Sequence, residues 1–267
     1  MSTADGTSGA ERRAPLAFGT IAVVGGGCYG RYYVRQLQRA AAAGAVRWQR
    51  LDVVDRAADC LVSRDAALRV SHGGQPAPQL VTAEWRDYFA SAIPAAAPDD
   101  AVVPSPLMPH LMVEWILDQV RRMWPARTAG LAALPTELPV PWQMANGDAP
   151  HYASFATWTC PVNCIEPARC PHTRGPRDWS MPAMAHAYLA DRRAAGEAWL
   201  GPFVFHCEHR AYGVGMFQTQ AVRDAGDAIV AAAADGPCVA LVGTVSHCHG
   251  AFGRLVIGPI IGAPVER

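Results

Sequence analysis

Thr20-Ile21-Ala22-Val23-Val24-Gly25-Gly26-Gly27-Cys28-Tyr29-Gly30 is the stretch on which the fold turns. A short apolar, β-branched run that stops at glycine reads as a buried parallel strand. The glycines that follow keep a G-x-G-x-x-G spacing at Gly25, Gly27 and Gly30. In such a turn the first glycine permits a tight bend. The second lets backbone approach a pyrophosphate, and the third lets helix and strand pack closely. Residues 31–43 are helix-compatible, with Tyr33, Val34, Leu37 and Ala41 near one face. The start of that helix would aim free N–H groups and a positive dipole end at the phosphates.

Working outward, Leu51-Asp52-Val53-Val54-Asp55 reads as a second strand. Asp55 comes 25 residues after Gly30, where an acid meets ribose hydroxyls. That favours NAD, whereas Arg56 beside it would attract a 2′-phosphate and keeps NADP open. A methyl donor such as S-adenosylmethionine is a third occupant of a turn of this type. The alternation continues through strands at residues 79–81 and 100–103 and helices at 85–93 and 107–123, the last stopped by Pro125. His110 and Glu114 stand four apart near the start of that helix, as a solvated pair or an acid–base pair.

IAVVGGGCYGRYYVRQL followed by LDVVDR resembles NAD(P)-binding Rossmann domains. In detail it is similar to the nucleotide-binding domain of potassium-uptake regulators, the RCK or TrkA N-terminal type. The likeness covers roughly residues 18–105 and rests on Gly25, Gly27, Gly30 and Asp55. It implies a nucleotide site. Simple dehydrogenases share the pattern, so it implies no role in transport.

The second half carries a different signal. Cys160, Cys164 and Cys170 fall within eleven residues at C-x3-C-x5-C, stiffened by Pro161, Pro167 and Pro171. His206-Cys207-Glu208-His209 and His247-Cys248-His249 each follow a strand-like run, with a helix expected between them over 216–234. If those strands are parallel, both groups leave from the carboxyl edge, where open α/β sheets place ligands. The loop could reach that edge and complete four thiolates with Cys207 or Cys248. Three readings stay open: an iron–sulfur cluster, a mononuclear zinc, or thiols without metal. His206, His209, His247 and His249 are candidate acid–base groups. Arg169, Arg174 and Arg177 flank the loop, where they would clamp an anionic substrate or be solvated. Trp158 and Trp179 bracket it.

The 267 residues are 51% hydrophobic and 17% charged, with a formal net charge of zero, so no bulk attraction to nucleic acid or acidic lipid follows. The sequence contains no lysine, which excludes Schiff-base chemistry and a P-loop lysine. No Ser/His/Asp arrangement stands out. No apolar run reaches the roughly 18 residues that would span a bilayer. The eight cysteines of a cytoplasmic protein then read as thiols or ligands. The expected architecture is α/β: a Rossmann-like parallel sheet followed by a Cys/His-rich α/β region. Residues 1–17 form a disordered tail, 18–125 the nucleotide domain, 126–150 a linker and 151–267 the Cys/His-rich part. The expected function is an oxidoreductase coupling a nicotinamide nucleotide to a Cys-ligated metal centre, iron–sulfur before zinc. Its partner is a small-molecule substrate or a redox protein. The rival is a non-catalytic nucleotide-sensing regulator with a structural zinc or redox-sensing loop.

Overall fold

The computed structural model describes residues 14–145, 150–161 and 163–260. Most of the expected N-terminal tail lies outside these residues. The first half runs β1 (Leu16–Val24), α1 (Cys28–Ala42), β2 (Val46–Asp55), α2 (Leu61–Arg64), β3 (Gln79–Thr82), α3 (Trp85–Ala92), β4 (Ala101–Val103) and α4 (Leu111–Met123). The second runs β5 (Arg127–Ala132), β6 (Trp142–Met144), β7 (His151–Ser154), α5 (Met181–Ala194), β8 (Trp199–His206), β9 (Glu208–Ala211), β10 (Val214–Gln218), α6 (Thr219–Asp235), β11 (Cys238–Val245) and β12 (His249–Ile260).

The apolar run of β1 is continuous because both of its faces are covered. Successive side chains of a strand point to opposite faces. Ile21 and Val23 therefore pack with Val34, Leu37 and Ala41 of α1. Ala22 and Val24 pack with Phe89 of α3 and Ile116 of α4 on the other side. β2, β1 and β4 run parallel, with β3 parallel to the outer side of β2. The sheet does not stay parallel. β10 joins β4 antiparallel and β9 joins β10 antiparallel, giving the order β3-β2-β1-β4-β10-β9. The expected parallel sheet is thus a mixed one, completed by strands from the second half of the chain.

A second mixed sheet has the order β6-β7-β12-β11-β8, with β5 also pairing β12. β8 and β11 are parallel neighbours with His206 level with Val245, so both Cys/His groups do leave from carboxyl ends. α4 and α6 lie between the two sheets. Their core joins Ala22 and Val24 to Ala240, Val242 and Leu255. The approach is close: a Cβ on Gly226 of α6 would sit 2.7 Å from the Trp115 ring of α4. α5 covers the outer face of the second sheet, packing Met181, Ala185 and Leu189 on Trp199, Leu241 and Phe252. It starts at Ser180, whose hydroxyl accepts from the Ala183 amide at 3.4 Å.

Two expectations need correcting. Residues 127–132 and 142–144, expected as linker, are strands β5 and β6. Gly130, Pro135, Pro139 and Pro141 obscure their short alternation, and β5 is held by the long partner β12. Residues 216–218, expected as helix, belong to β10, where Met216 and Phe217 are buried strand residues. No helix among the described residues is long and apolar enough to cross a membrane.

Candidate functional site

The glycine turn has a separate reason for each glycine. Gly25 has φ +86°, a left-handed backbone, and its N–H donates to the Val54 carbonyl at 2.8 Å. A Cβ on Gly26 would run into the Cys60 sulfur, and a Cβ on Gly30 into the Gly25 carbonyl oxygen. Gly27, the helix N-cap, is different. Its φ of −74° suits any residue, and a Cβ there would meet nothing within 4 Å. Among the described residues nothing stands in the way of a Cβ at Gly27.

The same turn leaves donors free. α1 has no side-chain cap and no acid in its first turn. The first amides of a helix have no intrahelical acceptor. Asp55, expected at a ribose, is tied into the turn. One carboxylate oxygen accepts from the Gly26 N–H at 2.7 Å, the other from the Ala57 N–H at 2.8 Å. Arg56 lies over the Trp85 ring at 5.7 Å and stands 4.0 Å from Glu84. Cys28, the first residue of α1, is exposed.

The register of β1 and β4 aligns Val23 with Val103, so the chain leaves the sheet at Gly25 beside the point where it leaves at Pro104 and Ser105. Pro104, Ser105 and Tyr33 of α1 line a cavity of about 440 Å³ that opens on this edge. Its other wall is built by the second sheet and the cysteine loop. Cys160, Cys164, Cys207, Cys248, Glu166, His209 and His249 all line it. Cys170 does not, and neither do His206 and His247. No arginine among the described residues lines it either, so of the two readings of Arg169, Arg174 and Arg177 the anion clamp is not formed at this cavity. Arg177 instead donates to the Pro167 carbonyl.

Glu166 organises the wall. It has φ +50°, unusual for a residue with a side chain, and its carboxylate is only 10% exposed. It accepts from the Ser246 hydroxyl at 2.7 Å, the His247 N–H at 2.8 Å and the Cys248 N–H at 3.1 Å. Burial opposes its charge, but these donors and nearby His209 prevail and hold the carboxyl below the usual carboxylate range. Glu166 thus ties the cysteine loop to the β11–β12 turn. Nothing in the spacing of the loop sequence singles Glu166 out for this role.

Both cavity imidazoles have a fixed tautomer. His209 Nδ1 lies 2.7 Å from the Gly213 carbonyl, so it carries the proton there, and its Nε2 stands 3.7 Å from Glu166. His249 Nδ1 is 2.9 Å from Ser154 Oγ, and the Ser154 hydroxyl donates its proton to the Ala156 carbonyl. Nδ1 of His249 is therefore the donor. In each neutral ring Nε2 is left as an acceptor. His206 and His247 pair with each other, Nε2 to Nδ1, at 3.1 Å. Burial and the neighbouring His247 push His206 below the ordinary imidazole range.

The thiols divide. Burial pushes Cys207 far up, Cys248 up to about 11 and Cys160 up. The Trp179 indole N–H rests on the Cys248 sulfur at 3.3 Å, while Trp158 stacks on His172. Cys170 is lowered, chiefly by the Thr173 backbone N–H against its sulfur. Among the described residues no three His, Cys, Asp or Glu side chains are gathered to hold a metal ion. Cys160, Cys164, Cys207 and Cys248 share a cavity wall with apolar groups, while Cys170 lies off that wall with its sulfur still close enough to help raise Cys160. No step below is routed through a metal.

No curated protein and no solved structure matches the chain. The family AF_1314_C, described as "Uncharacterized protein, C-terminal domain", matches residues 112–258, from α4 to near the end of β12. That stretch is more than half of the 267 residues and contains the cysteine loop and both Cys/His groups. The chain belongs to the AF_1314_C family.

Proposed function

We propose that the protein is a nicotinamide-dinucleotide oxidoreductase, with a Rossmann-type diphosphate cradle at Gly25–Gly30 and its reacting centre in the adjacent cavity. Gly27 is the observation that carries this reading. Among the described residues a Cβ there meets nothing within 4 Å, and the helix it starts has no side-chain cap for its first amides. A diphosphate accounts for both, because it needs close backbone approach and N–H donors.

The strand order around the turn supports the same reading. β3-β2-β1-β4 is parallel, and ligands of such sheets lie at carboxyl ends. α1 would hold the diphosphate near Gly27, and Tyr33 of the same helix lines the cavity together with Ser105. When bound, a nicotinamide supplies or accepts a hydride. The chain's own residues do the rest. α1 amides hold the diphosphate, and Asp55 keeps the Gly26 amide and the loop after β2 in place. Trp142, Met144 and Tyr152 shield the cavity from water, and His209 and His249 present Nε2 atoms toward a substrate. Eight free thiols suit a reducing compartment, the cytoplasm.

Fluorescence titration with NADH and NADPH tests the reading. Saturable enhancement of the reduced nicotinamide emission is the expected result. Flat titrations with both would remove the nucleotide from this protein.

A further inference from the structure

We infer that the cavity takes a neutral, largely apolar carbonyl compound, or the alcohol it becomes, and turns away anions; this rests on the oxidoreductase reading. The cavity volume of about 440 Å³ falls in the ordinary small-molecule range of about 300–1,000 Å³. Its mouth is apolar: Pro104, Pro106, Pro109, Trp142 and Met144 line it, with Trp142 and Met144 half exposed. Its inner wall is thiols, two imidazoles and one carboxylate.

The charge pattern decides the class. Glu166 is the carboxylate on the wall, and no arginine among the described residues lines the cavity to offset a second negative charge. A substrate carboxylate or phosphate would lose its hydration and face Glu166 without a cation, which is costly. A hydroxyl donates to an imidazole Nε2 and a carbonyl accepts from the His209 imidazolium beside Glu166, so neither carries that penalty. The reaction that joins this ligand to the nucleotide balances. The C4–H bond of the reduced nicotinamide breaks and its hydride forms a C–H bond at the carbonyl carbon. The C=O π pair takes the Nε2 proton of the His209 imidazolium, the form that Glu166 offsets, and leaves the neutral ring with its proton on Nδ1 against Gly213. The carbonyl is reduced to an alcohol and the nicotinamide is oxidised.

Prodan, a neutral naphthyl ketone whose emission shifts blue on leaving water, tests this with the full chain. The expected result is saturable, blue-shifted binding that acetylnaphthalene displaces. Naphthoate, its anion of matched shape, should displace prodan at least tenfold less well. Gly215→Leu should abolish binding, since a side chain there grows into the cavity from a Cβ in ordinary contact with Cys207 and His209. Met144→Arg, at the exposed rim, should fold as wild type and let naphthoate compete. No prodan binding in the wild type, or equal displacement by ketone and carboxylate, would overturn the inference. Ketone binding beside flat NADH and NADPH titrations would overturn the reduction step and support the neutral-ligand assignment.

Discussion

The Gly26 amide donates to the Asp55 carboxylate at 2.7 Å, joining the ends of β1 and β2 at the turn that starts α1. Asp55 also accepts from Ala57, so a single side chain closes two backbone donors. Asp55→Ala strands the Gly26 donor, which is buried, and leaves the exposed Ala57 N–H to water. It should lower stability by about 1–3 kcal/mol, and Asp55→Asn by less, because one acceptor oxygen remains. Urea unfolding midpoints check the order.

Cys28 gives a footprint of the nucleotide. It is exposed at the first residue of α1, next to Gly27. Iodoacetamide followed by mass spectrometry should modify Cys28 readily and Cys207, which burial keeps protonated, least. Saturating NADH or NADPH should slow Cys28 alkylation several-fold and leave that of the half-buried Cys238, at the start of β11, unchanged. Equal rates with and without nucleotide would count against an occupant at this turn.

Low pH should loosen the cysteine loop through Glu166. Its folded carboxyl lies below the ordinary value of about 4.3. The stability it contributes is therefore present above that value and lost as pH falls through the lower folded value. Wild-type unfolding midpoints should drop in that window, and Glu166→Gln should flatten that part of the curve while lowering stability at pH 7. Parallel curves for the two proteins would remove Glu166 from this role.

Asp52 shows how a charge survives in the first sheet. It is fully buried, bonded to Arg50 and accepting from the Tyr88 hydroxyl at 2.8 Å. Tyr88→Phe should cost about 1.5–3 kcal/mol, the range for a hydrogen bond to a charged group. Thermal unfolding measures it, and a loss below about 0.5 kcal/mol would contradict the assignment.

The first half was legible because local rules govern it. An apolar run ending in Gly25 and the spacing to Gly30 located β1 and α1, and the strands at 79 and 101 appeared within a residue of their place. The mixed character of the sheet was not legible. β10 is a five-residue strand that pairs with β4 more than 100 positions away, and its Met216-Phe217 pair reads equally well as the first turn of α6. In the second half the sequence located the chemistry and missed its organiser. Four of the five expected thiols meet at one cavity with His209 and His249, but Glu166 acts through long-range bonds to Ser246, His247 and Cys248 that no local pattern encodes. The arginines of the loop stayed open between an anion clamp and solvated charges for the same reason: spacing alone does not tell which way a loop faces.

The central claim turns on Gly27, where the protein leaves open space. Isothermal titration of NADH and NADPH into wild type and Gly27→Val, with melting temperatures for both, measures it. Gly30→Ala serves as the structural contrast, expected to lose about 1–3 kcal/mol or more where a Cβ meets the Gly25 carbonyl. The account predicts that Gly27→Val melts within a few degrees of wild type and binds nucleotide at least tenfold more weakly, a loss of about 1.4 kcal/mol. Unchanged affinity in a folded Gly27→Val protein would contradict it.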